Sequence, residues 1–215
     1  MRRIWGITLG AAACLALTAC SPSGDAQKNA KPAAKADVVP AVYNVVLDTS
    51  KGPVTIEVHR DWAPHGADHL YTLVKTGFYD GARFFRVVRD FVVQFGISGD
   101  PAKDRLWANA NILDDPVQES NVKGAVSYAK EGPNTRSTQL FINLKDNGRL
   151  LDKTGFAPIG RITSGMDVVE SLYKFYGEMA PRGQGPDATK ILTEGNAYLD
   201  GKFPRLDYIK KATIQ

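Results

Sequence analysis

Residues 63–94 read APHGADHLYTLVKTGFYDGARFFRVVRDFVVQ, and the pattern changes period twice. Leu70, Leu73 and Val74 recur at helical spacing, so a helix is predicted from about Trp62 to Lys75, with Asp61 as its cap and Gly77 as its stop. The turn GFYDG follows, and then two short strands over FFRVV and FVVQ. Strand alternation places Phe84, Arg86 and Val88 on one face, which sets a permanent charge among apolar neighbours. A guanidinium is costly to bury unless its donors are matched, so Arg86 is either paired structurally or used.

Working outward, AVYNVVLDT (41–49) and VTIEVH (54–59) flank the turn Lys51-Gly52-Pro53 and read as a hairpin with Val54, Ile56 and Val58 on one face. Further strands are predicted at 124–129, 139–144, 156–163 and 207–214. Helices are predicted over SGMDVVESLYKF, capped by Ser164, and near 187–199. Strands separated by Gly-rich turns, with few helices, predict a mainly β fold: a closed antiparallel barrel with helices at its ends.

The 215 residues, 43% hydrophobic with a formal charge of +4, suffice for one well-filled core. No run of Lys and Arg interleaved with aromatics is present, so nucleic acid is not an expected partner. At the N-terminus, Arg2 and Arg3 precede an apolar run from Ile4 to Ala19, too short for a comfortable membrane span and laid out as an export leader. Leu17-Thr18-Ala19-Cys20 resembles a bacterial lipobox, which implies cleavage after residue 19 and diacylation of Cys20; a plain secretory leader or a short anchor is the alternative. Ser21 is compatible with the outer membrane, on its periplasmic face. The other cysteine, Cys14, lies in the leader, so the mature chain would carry no disulfide. Residues 20–40 hold Pro22, Pro32 and Pro40 and no aromatic residue, and are predicted to be a tether reaching roughly 25 Å. Residues 41–215 form the domain.

Several motifs lead nowhere. His65 and His69 have the spacing of a zinc pair, but Gly66 stands where a metalloprotease needs Glu, and solvated histidines are expected. His59 falls on the polar face of its strand. GISGD (96–100) breaks the nucleophile-elbow pattern, and RGQGPD (182–187) lacks a P-loop lysine. No metal or cofactor is expected.

The opening stretch, followed by GAVSYAKEGPNTRSTQLFINL (124–144) and LLDKTGFAPIGRITSGMDVVESL (150–172), resembles the cyclophilin family of peptidyl-prolyl isomerases. The resemblance implies an eight-stranded closed barrel capped by two helices, with the active groove on its outer surface. It implies Arg86 as the catalytic arginine, Phe91, Val92, Phe141 and Leu151 as the proline pocket, and Gln94 and Gln139 as the amides around them. It further implies that Ala129, Lys130 and Glu131 bind the peptide main chain. Alternation alone does not put Gln94 beside Arg86, because a one-residue slip reverses it. The family pattern is broken at Phe85 (usually His), Arg89-Asp90 (usually Pro-Gly), the inserted Phe95–Ser98, Leu150 (often Trp, at the pocket border), Phe156 (often His) and Ile159 (often Phe). Residues 178–205 are an additional C-terminal helical insertion. The implied function is isomerisation of X-Pro bonds in exported polypeptides by a lipid-tethered monomer. A non-catalytic peptide-binding module or holdase is the alternative, and a purely structural lipoprotein would leave the Arg86 set unexplained.

Overall fold

A computed structural model describes residues 38–215; the leader, Cys20 and the tether up to residue 37 lie outside the described residues. The hairpin forms as its alternation requires, from β1 (Val42–Thr49) and β2 (Gly52–His59). Tyr43, Val45 and Leu47 meet Val54, Ile56 and Val58 in the interior. The remaining strands are β3 (Arg86–Val87), β4 (Val92–Phe95), β5 (Ala125–Tyr128), β6 (Leu140–Asn143), β7 (Pro158–Ser164) and β8 (Ile209–Ile214). All eight join one antiparallel sheet in the order β3-β4-β6-β5-β7-β2-β1-β8.

The expected closed barrel is corrected: β3 and β8 are the two edges and do not pair as strands. Only Arg86 and Val87 of the predicted FFRVV strand join the ladder, too few to reach across. The preceding residues span the seam instead, with Gly81 and Phe84 N–H donating to the Ile209 and Asp207 carbonyls. The alternation breaks with the strand. Phe84 and Val87 both enter the main core, Phe85 enters a second one, and Arg86 is left on the outer face.

The helix α1 (Pro64–Lys75) lays Ala67, Leu70, Leu73 and Val74 against the sheet. Asp61 does not cap it. Pro64 sets the first helical position and Ala63 supplies no side-chain bond; the Asp115 carboxylate instead accepts from the His65 and Gly66 N–H groups at 3.1 and 2.9 Å. Asp115 also accepts from Arg136 Nη2 at 2.9 Å, a guanidinium only 1% exposed, so one carboxylate both starts a helix and neutralises a buried cation. His69 on the same helix is not solvated as expected: it is half-buried against Trp107 and Tyr128, with Nε2 lacking a hydrogen-bond partner.

Burial holds the His69 pKa below its ordinary value, with the Arg136 charge acting the same way. The unfolded chain then takes up a proton that the folded chain refuses as pH falls below about 6.5, so stability is lost on that side. Denaturant midpoints between about pH 7.5 and about pH 5.5 should fall more in the parent than in His69→Phe. Equal pH dependence in both proteins would contradict this.

After β4 come α2 (Pro101–Trp107), capped by Asp100, and later α3 (Gly148–Leu151) and α4 (Met166–Ser171). Ser164 does not cap α4; Gly165 takes the position at φ 84°, where a Cβ would strike the Pro53 carbonyl. The extension contains α5 (Ala188–Lys202), capped by Asp187 and kinked at Gly195. Ile191 and Leu199 of α5 make the second core with Phe85, Ile97 and Leu206. Two of the family departures, Phe85 and the inserted segment, are thus the floor on which the extension packs.

Candidate active site

The β3–β4 register sets Arg86 opposite Gln94, and β4–β6 sets Gln94 opposite Phe141. Arg86, Gln94 and Phe141 consequently share the outer face, which settles the register that alternation left open. Arg86 Nη1 donates to Gln94 Oε1 at 3.0 Å, and Gln94 Nε2 donates to Gln139 Oε1 at 2.9 Å. The guanidinium also lies 5.5 Å from the Phe91 ring centre. One partner was invisible to sequence reasoning: Glu178, in the extension, takes Nε and Nη2 of Arg86 at 2.6 and 2.8 Å in a two-pronged ion pair. That bond holds the Glu178 carboxyl below its ordinary pKa, against the opposing effect of burial.

Beside this charge lies an apolar pocket. Val92, Phe141 and Leu151 are buried together, with Phe91, Ala129 and Phe156 packed against them, and the Phe141 and Phe156 rings meet edge to face at 5.7 Å. Buried amides fix the pocket from behind. Asn147 Nδ2 donates to the Phe91 carbonyl (3.0 Å) and to Asn143 Oδ1 (2.8 Å), while Asn121 Nδ2 donates to Asp152 (2.7 Å) and the Phe156 carbonyl (2.7 Å). Such a satisfied network holds α3, and with it Leu151, in one place.

A groove of about 700 Å³ joins the two parts. Arg86, Phe91, Val92, Gln94, Ala129, Lys130, Glu131, Gln139, Phe141, Leu151 and Phe156 line it, with Asn111, Thr135, Ser137, Met179 and Arg182, which sequence reasoning missed. Residues 44–193 match the family model described as cyclophilin type peptidyl-prolyl cis-trans isomerase/CLD. The chain belongs to the cyclophilin family. A peptidyl-prolyl cis-trans isomerase of Schizosaccharomyces pombe is 36% identical over 132 residues, covering 60% of this chain and 84% of that protein. One from Streptomyces antibioticus is 35% identical over 136 residues, covering 60% and 81%. A crystal structure of a Cryptosporidium parvum cyclophilin type peptidyl-prolyl cis-trans isomerase shares the fold at TM-score 0.58 and 19% identity, covering 81% of this chain and 98% of that one.

One of the predicted site positions, Leu150, does not line the cyclophilin groove. It is 58% exposed, because its helical neighbour Leu151 takes the inward direction. Ile159 lies in the main core, so it does not shape the pocket. Lys130 is tied to Asp114 at 3.0 Å and spans the Phe156 ring at 5.6 Å, so its charge is already matched. Arg89, where the family has Pro, stacks on Phe175 at 4.9 Å, and Asp90 adopts φ 53° where the family has Gly. Among the described residues no cluster of three His, Cys, Asp or Glu side chains could hold a metal, and His59 stacks on Trp62 and bonds Glu57.

Proposed function

We propose that this cyclophilin isomerises X-Pro bonds of exported polypeptides, with Arg86 as the donor that acts on the prolyl nitrogen. One observation carries the reading: a guanidinium with unengaged N–H groups lines the same groove as a buried apolar pocket. Of its five N–H groups, Glu178 takes two and Gln94 one, which leaves one each on Nη1 and Nη2.

Amide rotation has a barrier of about 18 to 20 kcal/mol because the nitrogen lone pair is delocalised. Uncatalysed prolyl isomerisation takes tens to hundreds of seconds, so a turnover near ~10 per second requires about 4 kcal/mol of transition-state stabilisation. As the bond twists, the nitrogen becomes pyramidal and accepts a hydrogen bond that the planar amide refuses. A charged donor waiting there stabilises the twisted state alone, by about 1.5 to 3 kcal/mol. The pocket of Val92, Phe141 and Leu151 grips the ring and supplies the rest. Gln94 and Gln139 hold the donor, and the Ala129–Glu131 edge receives the peptide main chain. Isomerisation rates measured across a panel of X-Pro peptides should rise with enzyme concentration; rates equal to the uncatalysed ones would refute the reading.

The cellular setting rests on the leader and lipobox: a lipid-anchored monomer on the periplasmic face of the envelope. Two acyl chains give stable attachment where one gives marginal binding. Cys20→Ser should move the protein from the membrane to the soluble fraction and change its mobility. Retention in the membrane at unchanged mobility would contradict the anchor.

A further inference from the structure

We propose that Glu178, from the C-terminal extension, is a positioning residue that sets the plane of the Arg86 guanidinium for catalysis. The inference rests on the isomerase reading above and adds to it a function for the extension. A guanidinium held only by Gln94 at Nη1 keeps a free rotation about its long side chain. The Glu178 fork on Nε and Nη2 removes it, because two parallel N–H···O bonds fix a plane as one bond cannot. The donors left over are the two that the groove can use.

The position of Glu178 is itself built. Its Oε1 accepts from the Met179 N–H at 2.9 Å, and its backbone carbonyl accepts from the Gly185 N–H at 2.8 Å. Gly183 and Gly185 fold back so closely that a Cβ on either would strike the Glu178 backbone. The same segment gives Met179 and Arg182 to the groove. Behind it, α5 packs on Phe85, the neighbour of Arg86, and Phe175 packs on Arg89. The extension therefore packs behind β3 through Phe85 while reaching around to its arginine. A segment serving stability alone needs the apolar contacts and not a carboxylate aimed at this one side chain.

The planar ground-state amide makes no bond from its nitrogen, and the ring pocket contains no atom of Glu178. Misaligning the guanidinium should consequently affect turnover more than binding. Glu178→Gln keeps the shape, but its amide N–H₂ confronts Arg86 donors and breaks the fork. Its kcat should fall about tenfold while KM stays within about twofold, in line with the cost of small misplacements in a site. Glu178→Asp, which keeps the carboxylate, should recover part of the loss. As a separate signature, the Arg86 Nε–H proton resonance should be resolved and slow to exchange with water in the parent, and lost in Glu178→Gln. Thermal unfolding of each variant checks that the domain is intact. An active parent with unchanged or increased kcat in folded Glu178→Gln would overturn the positioning role alone; an inactive parent would overturn both it and the isomerase reading.

Discussion

Arg86→Ala is expected to lower kcat/KM tenfold to a hundredfold, the equivalent of about 1.5 to 3 kcal/mol for one charged hydrogen bond made in the transition state. The fold should survive the change. Arg86 lies on the outer face, and the carboxylate it leaves behind, Glu178, has a side chain 33% exposed, so water can solvate it. The stability cost should stay at or below about 1 kcal/mol, as for other partly exposed ion pairs. Arg86→Lys should recover little, since an ammonium cannot span the Glu178 fork and Gln94 while still presenting donors to the groove. Circular dichroism together with a protease-free isomerisation assay reads both quantities. A folded Arg86→Ala protein with full activity would remove Arg86 from the mechanism.

Phe141→Ala should act on the other half of the site. The ring is buried between Val92 and Leu151 and meets Phe156 edge to face. Its removal should cost about 3 kcal/mol of stability, near the lower end for a buried Phe because the cavity opens to the groove. The substrate ring loses its wall, so kcat/KM should fall roughly tenfold to thirtyfold, about 1 to 2 kcal/mol of lost burial, chiefly through KM. Denaturant unfolding and saturation kinetics separate the two effects. An unchanged KM would mean that the prolyl ring does not sit on Phe141.

The hairpin was legible because alternation is a local property of a half-buried strand: Val54, Ile56 and Val58 leave one reading. The groove residues were legible through the wording around Arg86, Gln139 and Phe141, not through periodicity. The β4 register that brings Gln94 to Arg86 depends on pairing between strands, which alternation cannot supply. The cap of α1 was hidden for a similar reason. Asp115 stands about fifty residues from the N–H groups it serves, and Asp61 was the nearer candidate until Pro64 moved the helix start.

The barrel was expected to close because strands dominate the chain, yet β3 and β8 stay unpaired edges, and Gly81 to Phe84 span the seam with backbone bonds and no strand ladder. Glu178 escaped notice because it lies in residues that match no motif. A signal was nevertheless present: Phe85 and the inserted Ile97 add apolar surface beside the arginine strand, more than one sheet face can bury. Apolar residues placed where a family is usually polar call for a covering layer, and the extension is that layer.

The most direct test of the arginine mechanism is exchange spectroscopy by nuclear magnetic resonance on a short X-Pro peptide mixed with the parent protein and with Arg86→Ala. Cross-peaks between cis and trans resonances should build up with the parent, on a timescale of about a second or less where the free peptide takes tens of seconds or more. They should weaken tenfold or more with Arg86→Ala, while the peptide still shifts the Val92 and Leu151 methyl resonances in both proteins. Methyl shifts with no exchange cross-peaks in the parent would show a groove that binds peptide without isomerising it, and would contradict the mechanism.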